Sequence, residues 1–206
     1  MTKEGTYWGG QPNTLDMPTI RSFIAVDTAP EVKTAIVDVE ERLRATNAEV
    51  RWESIEKFHI TLKFLGNVGE AKLHSLENRL EEVLSPFPAF NMTYQGVGCF
   101  PNQHHPRIIW IGAENDDGTL RRIQESIEGV AESFGFQREE RQFHPHITIG
   151  RVKGSKNLKA LVTELGNATF TPHSSLIREV LLMKSDLKPS GSVYTVLRTI
   201  HLKGEE

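Results

Sequence analysis

The chain has 206 residues, of which 38% are hydrophobic and 25% charged, and its mean hydropathy is −0.37, as in an ordinary globular protein. Its longest apolar runs are strand-sized and far too short to cross a bilayer as a helix, so we expect no transmembrane segment. With 24 basic against 27 acidic side chains the net charge is −3, which argues against a protein that coats a long nucleic acid by charge. If the substrate is RNA, we expect the protein to bind only a short segment of it.

Residues 1–18 hold four Gly or Pro between positions 5 and 12 and have no periodicity, which predicts a flexible lead. This segment has neither a basic head nor an apolar core, so we expect no secretory signal and a cytoplasmic protein. The single cysteine, Cys99, cannot form an internal disulfide. We expect one domain over residues 19–206, a monomer with no membrane contact and no protein partner.

Secondary structure is predicted to begin with a strand over Ile20–Asp27. Thr28 is expected to cap the next helix, with Glu31 three residues on, and apolar residues at helical spacing extend that helix to about Thr46. Further elements are predicted as a strand over Lys57–Leu65, a helix over Glu70–Leu84, strands near Phe90–Val97 and Arg107–Gly112, a helix from about Thr119 to Phe134, a strand over Phe143–Val152, a short helix near Leu158–Leu165, and strands near Ala168–His173, Ile177–Met183 and Val193–Leu202.

Strands that follow one another closely alternate in this prediction with amphipathic helices. Such a mixture favours an α+β fold whose antiparallel sheets carry helices on their outer faces. The order strand, helix, strand occurs twice, and each time it ends on the same short word. We therefore expect two halves of one fold around a shared cleft.

The repeated word is His59-Ile60-Thr61-Leu62 in the first half and His146-Ile147-Thr148-Ile149 in the second, 87 residues later. Because side chains alternate between the two faces of a strand, each word sends His and Thr to one face and its apolar pair to the other. Two imidazoles at one site can serve as acid and base near neutral pH. The repeat therefore predicts acid/base catalysis without a metal.

A phosphodiester suits such a site best, because its cleavage needs a base for the incoming oxygen, an acid for the departing oxygen and donors for the remaining oxygens. Thr61 and Thr148 are the expected donors, and Arg151 or Lys63 is expected to add positive charge. Four aromatic residues near the words are candidates for stacking on a base or for core packing, namely Trp52, Phe58, Trp110 and Phe143; of these, Phe58 and Phe143 are predicted to bind substrate.

A metal site is the rival chemistry, since His144 and His146 have the spacing of two ligands on one strand face. A third ligand is needed, and neither word contains an Asp, Glu or Cys. We therefore expect no metal and no cofactor.

The two words and their surroundings resemble the 2H phosphoesterase family, in particular its RNA 2′,3′-cyclic phosphodiesterase (LigT-like) branch. The similarity extends over about residues 20–200 and includes the opening strand from Ile20, Arg51-Trp52, the hairpin around Phe100-Pro101 and Arg107–Trp110, the second word from Phe143 to Arg151, and Ser185–Leu187 with Gly191 and Tyr194.

This resemblance implies a bilobal fold of two antiparallel sheets related by a pseudo-twofold axis and flanked by helices around a central cleft. It also implies that His59 is the proton donor, that His146 is the proton acceptor and that Arg151 binds phosphate. The expected reaction opens an RNA 2′,3′-cyclic phosphate end to a 2′-phosphate, and a reverse 2′,5′ ligation activity is expected beside it.

Two alternatives stay open. The same two-histidine site could act on another small cyclic phosphate, such as ADP-ribose 1″,2″-cyclic phosphate, or on a 2′,5′-linked oligonucleotide. A protein of this fold could also bind nucleotides without turnover. Comparing these substrates in one assay discriminates among the three functions.

Overall fold

The computed structural model describes residues 18–189 and 191–204. Its helices are α1 (Pro30–Arg44), α2 (Glu70–Leu84), α3 (Thr119–Ser133) and α4 (Leu158–Asn167), with a short 3-10 helix over Ile55–Lys57. Its strands are β1 (Thr19–Asp27), β2 (Val50–Trp52), β3 (His59–Gly69), β4 (Phe90–Phe100), β5 (Ile108–Glu114), β6 (His146–Val152), β7 (His173–Ile177), β8 (Glu179–Lys188) and β9 (Gly191–His201). The predicted lead, residues 1–18, lies outside the described residues except for Pro18.

The strands form one antiparallel sheet in the order β7-β4-β5-β6-β3-β1-β8-β9, and β2 pairs with β6 beside this path. The two middle strands, β3 and β6, are joined through a single register pair, Ile60 with Ile147. The path therefore divides at this pair into two four-stranded halves, which correspond to the two predicted sheets. The α+β class is confirmed, and the central strands of the sheet are the two that carry the repeated words.

The helices cover one face of this sheet and connect its halves. Helix α2 buries four leucines at helical spacing, Leu73, Leu76, Leu80 and Leu84. Helix α3 follows β5 in the chain but packs on α2 and on β3 of the other half, and α1 follows β1 but contacts β7 of the other half. This crossing buries the helix-facing side of both central strands, and the words present their polar side chains on the opposite face.

Two of the predicted features are wrong. Helix α1 begins at Pro30 after Ala29, without a side-chain cap, and the Thr28 hydroxyl is buried with no partner among the described residues. Proline lacks an N–H and has a helical φ, so it can start a helix without a capping side chain. The strand expected over Ala168–His173 instead begins at His173, because Pro172 cannot donate to a strand ladder.

None of the helices described in residues 18–189 and 191–204 is long and apolar enough to cross a membrane.

Candidate active site

The structure brings His59, Thr61, His146 and Thr148 together on one face of the two central strands. The register pair between the strands places His59 opposite Thr148 and Thr61 opposite His146. The two histidines are then diagonal neighbours, which in a regular ladder are about 7–8 Å apart. All four side chains are half-buried, whereas the apolar residues between them are buried in the core. A group the size of a phosphate can contact both imidazoles and both hydroxyls here.

A β-bulge falls on the last residue of the first word. Two adjacent residues of β1 pair with Thr61 and Lys63 of β3, so Leu62 has no partner on β1 and is the extra residue of the bulge. The bulge turns Lys63 to the helix side, where its Nζ lies 2.7 Å from a carboxylate oxygen of Glu128 and 2.6 Å from the Gln137 carbonyl oxygen. Lys63 is 7% exposed. The prediction that it adds charge to a bound phosphate is therefore wrong, because its ammonium is paired in the core.

A second bulge falls at the equivalent position, on the last residue of the second word. The register of β6 against β5 leaves Ile149 as the extra residue. The β5 partners of Thr148 and Arg151 are two residues apart, so these two side chains lie on the same face although three positions separate them. The bulge thus brings Arg151 to the face of His146, and Gly150 takes the buried position.

His59 is enclosed by aromatic rings. Its imidazole stacks on Phe23, with ring centroids 5.0 Å apart, and the ring of Tyr194 meets it edge-on at 5.4 Å. Burial lowers the pKa of His59 from its usual 6.5 to about 4, although the nearby Asp27 carboxylate and the Lys57 carbonyl act to raise it. In the ligand-free protein this imidazole is therefore neutral at pH 7.

His146 is held by a backbone hydrogen bond. Its Nδ1 lies 2.7 Å from the carbonyl oxygen of His144, which can only accept, so Nδ1 carries the proton and Nε2 is the free acceptor. Its ring also meets Phe100 edge-on at 5.1 Å. Burial lowers the pKa of His146; the bond to the His144 carbonyl raises it, and the neighbouring side chains of His144 and Arg151 lower it further. This tautomer and this pKa suit a general base.

Arg151 is oriented by a buried carboxylate. Its Nε donates to Oε1 of Glu53 at 3.0 Å, which leaves the two terminal amino groups for a ligand. The backbone N–H of Glu53 also donates to the carbonyl oxygen of Ile149, the bulge residue, at 2.9 Å. Arg51 and Lys57 lie 3.7 and 3.9 Å from the same carboxylate, which is only 9% exposed as a residue. One acidic and three basic side chains therefore form a group beside the histidines.

The aromatic residues predicted to bind substrate lie elsewhere. Phe58 is fully buried in the hydrophobic core, so its predicted contact with substrate is wrong. Phe143 is half-buried against the core and lines an open cavity of about 820 Å³ together with Trp110 and His144. Trp52 is half-buried, with the Arg44 guanidinium 5.2 Å from the centroid of its ring. Trp110 lies on the face of the two histidines, since it pairs with Thr148 and its ring centroid is 6.5 Å from that of His146, but it is half-buried, and none of the four is an exposed ring.

Phe64 does offer an exposed ring on this face, although the repeated words did not predict it. It pairs with Phe23 of β1, so it lies on the same face as His59, and it is 69% exposed. Phe64 stands five residues after His59, as Arg151 stands five residues after His146. Extending the comparison of the two words to this position would have singled out Phe64, although the bulge that orients it is not visible in the sequence.

The rival metal site needed a third ligand beside His144 and His146. Among the residues that the structure describes, no group of three His, Cys, Asp or Glu side chains is placed to hold a metal ion.

Comparison with known proteins bears out the predicted family. The sequence profile of the 2′-5′ RNA ligase superfamily matches residues 41–189. An RNA 2′,3′-cyclic phosphodiesterase of Methanothermobacter thermautotrophicus is 36% identical over 186 residues, which cover 89% of this chain and 99% of that protein. The protein of the same name from Thermotoga maritima is 35% identical over 185 residues, covering 90% of this chain and 97% of its own length.

Solved structures agree with this result. A crystal structure of a Thermus thermophilus protein covers 91% of this chain and 100% of its own, with 26% identity and a TM-score of 0.76. E. coli LigT in its apo form covers 90% of this chain and 98% of its own, with a TM-score of 0.72, and its 24% identity supports the predicted LigT-like fold alone. By sequence and by fold, the chain belongs to the 2′-5′ RNA ligase superfamily, the two-histidine phosphoesterases that its repeated words resemble.

Proposed function

We propose that this protein is an RNA 2′,3′-cyclic phosphodiesterase that opens the cyclic phosphate to a 2′-phosphate. The observation that carries the proposal is the diagonal placement of His59 and His146, each beside a threonine, on one face of the joined strands. Relatives about one-third identical over most of the chain bear the name of this activity, which supports the same assignment.

In the proposed reaction the cyclic phosphate lies between the two imidazoles. Nε2 of His146 takes a proton from water as the water oxygen bonds to phosphorus. The bond from phosphorus to the ribose 3′ oxygen breaks, and His59 gives that oxygen its proton. The phosphate stays on the 2′ oxygen. If the 5′-hydroxyl of another RNA takes the place of water, the same steps form a 2′,5′ linkage.

The proton on His59 has to arrive with the substrate. Burial keeps this imidazole neutral in the ligand-free protein, with a pKa of about 4. A phosphate anion within about 4–6 Å favours the charged form of an imidazole and raises its pKa by about 1–3 units. The substrate itself therefore promotes protonation of the acid that cleaves it.

The other side chains on this face bind and orient the substrate. The hydroxyls of Thr61 and Thr148 donate to the non-bridging oxygens, where negative charge grows during attack. The free amino groups of Arg151 add charged hydrogen bonds to the same phosphate. Phe64 provides an exposed ring for the terminal base, and base–aromatic stacking contributes about 1–3 kcal/mol.

The test is to incubate the purified protein, in EDTA, with a short RNA that ends in a 2′,3′-cyclic phosphate and to identify the product by phosphorus NMR. We expect a 2′-phosphate end. A 3′-phosphate would contradict the assignment of the leaving oxygen, and loss of activity in EDTA with rescue by one metal would contradict the two-histidine mechanism.

ADP-ribose 1″,2″-cyclic phosphate and a 2′,5′-linked oligonucleotide belong in the same assay. Faster turnover of either would make it the substrate of the site. Binding without turnover of any of the three would identify a nucleotide-binding module instead.

A further inference from the structure

Arg51 lies directly beside Arg151, on the neighbouring strand. The two arginines are a register pair of β2 and β6, so their side chains leave the sheet on the same face. Paired residues of antiparallel strands have Cβ atoms about 4.5–5.5 Å apart, and like charges placed in this way destabilise a sheet. An arginine pair at this position is therefore favourable only where anions offset its charge.

The Glu53 carboxylate offsets part of this positive charge, but it contacts the two arginines unequally. Its Oε1 accepts the Nε–H of Arg151 at 3.0 Å, whereas the nearest nitrogen of Arg51 is 3.7 Å from the same oxygen, beyond hydrogen-bond length. The side chain of Arg51 is 52% exposed, against 37% for Arg151. Arg151 is thus fixed by the protein, and the guanidinium of Arg51 remains open to a ligand.

The net charge of these four side chains can be balanced by two bound anions. Arg51, Lys57 and Arg151 carry three positive charges and Glu53 one negative charge, which leaves a net charge of +2. A cyclic phosphodiester at the RNA end brings a single negative charge. One positive charge remains for a second phosphate beside the first.

We propose that Arg51 binds the next phosphate of the RNA backbone, on the 5′ side of the terminal nucleoside. A cyclic end has a neighbouring phosphate only on that side. The proposal rests on the function proposed above and sharpens it: the substrate is an RNA end of at least two nucleotides, and a mononucleoside cyclic phosphate leaves this subsite empty.

The test compares two dinucleotides that end in the same 2′,3′-cyclic phosphate. One has the natural internucleotide phosphate, and the other has a methylphosphonate, which is nearly the same shape but uncharged. The wild-type protein should open the natural dinucleotide with a kcat/KM about tenfold higher, since a hydrogen bond to a charged group contributes that much. In Arg51→Gln this ratio should fall to about one.

Arg79→Gln is the matched control, because it removes the same charge from an exposed position on α2. Its ratio should equal that of the wild type. A ratio that is the same for both dinucleotides in the wild type, or that survives in Arg51→Gln, would overturn the assignment of Arg51.

Calorimetry separates this result from a failure of the proposed function. The corresponding 2′-phosphate products, with natural and methylphosphonate linkages, are titrated into the wild type and both variants. If the wild type opens neither dinucleotide, the proposed function falls, and the ratio of the two dissociation constants still reports on Arg51. The dependence of log Kd on log salt should also be shallower by about 0.7 in Arg51→Gln for the natural product, as expected for one lost phosphate contact.

Discussion

The two central strands carry the same word and the same bulge but differ at the two positions that follow. After the bulge, β3 places Lys63 in the core and Phe64 on the open face, whereas β6 places Gly150 in the core and Arg151 on the open face. The repeated backbone thus delivers two equivalent imidazoles together with two unlike contacts, an aromatic ring on one side and a guanidinium on the other. A nucleotide is asymmetric in the same way, with a base at one end and a phosphate at the other.

The two histidines differ in their ring contacts but share the same kind of backbone partner. His59 packs against the rings of Phe23 and Tyr194, and His146 meets the ring of Phe100 edge-on. Each imidazole also has a hydrogen bond with the carbonyl of the residue two positions earlier, Lys57 for His59 and His144 for His146, which acts to raise its pKa. This shared bond does not distinguish the base from the acid, so the base role of His146 is the one that the family resemblance implies.

The variants with the largest expected effect test whether the two halves of the sheet act as one catalytic site. His59→Ala and His146→Ala should each lower kcat by about 10²- to 10⁴-fold, and the double variant should lose much less than the product of the two, because acid and base act in one step. His74→Ala, on the exposed surface of α2, is the control and should retain wild-type kcat. Small losses that multiply in the double variant would mean that the halves act separately.

Lys63→Met tests the buried difference between the strands. It leaves the Glu128 carboxylate buried without its cation, since both side chains are 6% exposed, and should lower the free energy of unfolding by about 3–5 kcal/mol. The double variant Lys63→Met, Glu128→Leu should recover part of this loss in urea denaturation. Arg79→Ala, which breaks an exposed ion pair, should change stability by less than about 1 kcal/mol. An equal change in Lys63→Met and Arg79→Ala would contradict the buried pair.

Glu53→Gln tests how Arg151 is positioned. It keeps an acceptor oxygen but removes the charge that fixes the guanidinium, so kcat/KM should fall by about tenfold, against about 10²- to 10³-fold for Arg151→Ala. If Glu53 acts through Arg151, adding Glu53→Gln to Arg151→Ala should cost nothing further. Equal losses from Glu53→Gln in both backgrounds would indicate a general structural role instead.

Phe64→Ala tests the aromatic side of the site. Loss of stacking should raise KM by about tenfold or more, with little change in kcat, because the ring contacts the base and not the reacting atoms. Leu176→Ala, which trims another exposed apolar side chain on the edge strand β7, should leave KM as it is. A fall in kcat at constant KM would place Phe64 in the chemical step.

The smallest expected effect is a displacement of the pH profile. Because the base must be deprotonated, kcat/KM should rise with pH through the lower of the two pKa values of the histidine pair. Because the acid must be protonated, kcat/KM should fall again above the upper pKa value. Burial holds both pKa values below 6.5 in the ligand-free protein, so the optimum of kcat/KM should lie on the acid side of pH 6.5. The profile of kcat should lie at higher pH, because bound phosphate favours imidazolium. An optimum of kcat/KM above pH 7 would contradict the burial of the pair.

Much of the fold could be read from local patterns. Helix α2 has the bounds that were predicted, because four leucines at helical spacing fit a helix and not a strand. The bounds of β1 were predicted to within one residue. The cap of α1 and the start of β7 were missed because a proline decided each boundary where neighbouring residues fitted another element equally well.

The sequence by itself determined which four side chains share a face, because the two-residue period of a strand is a local property that the repeated word carries twice. Only the tertiary structure decided that Lys63 faces the core while Arg151 faces the site, and that Phe64 rather than Phe58 offers a free ring. These outcomes depend on one extra residue in each strand, at Leu62 and Ile149. A bulge is defined by the partner strand that it fails to match, so it exists only once the strands have paired.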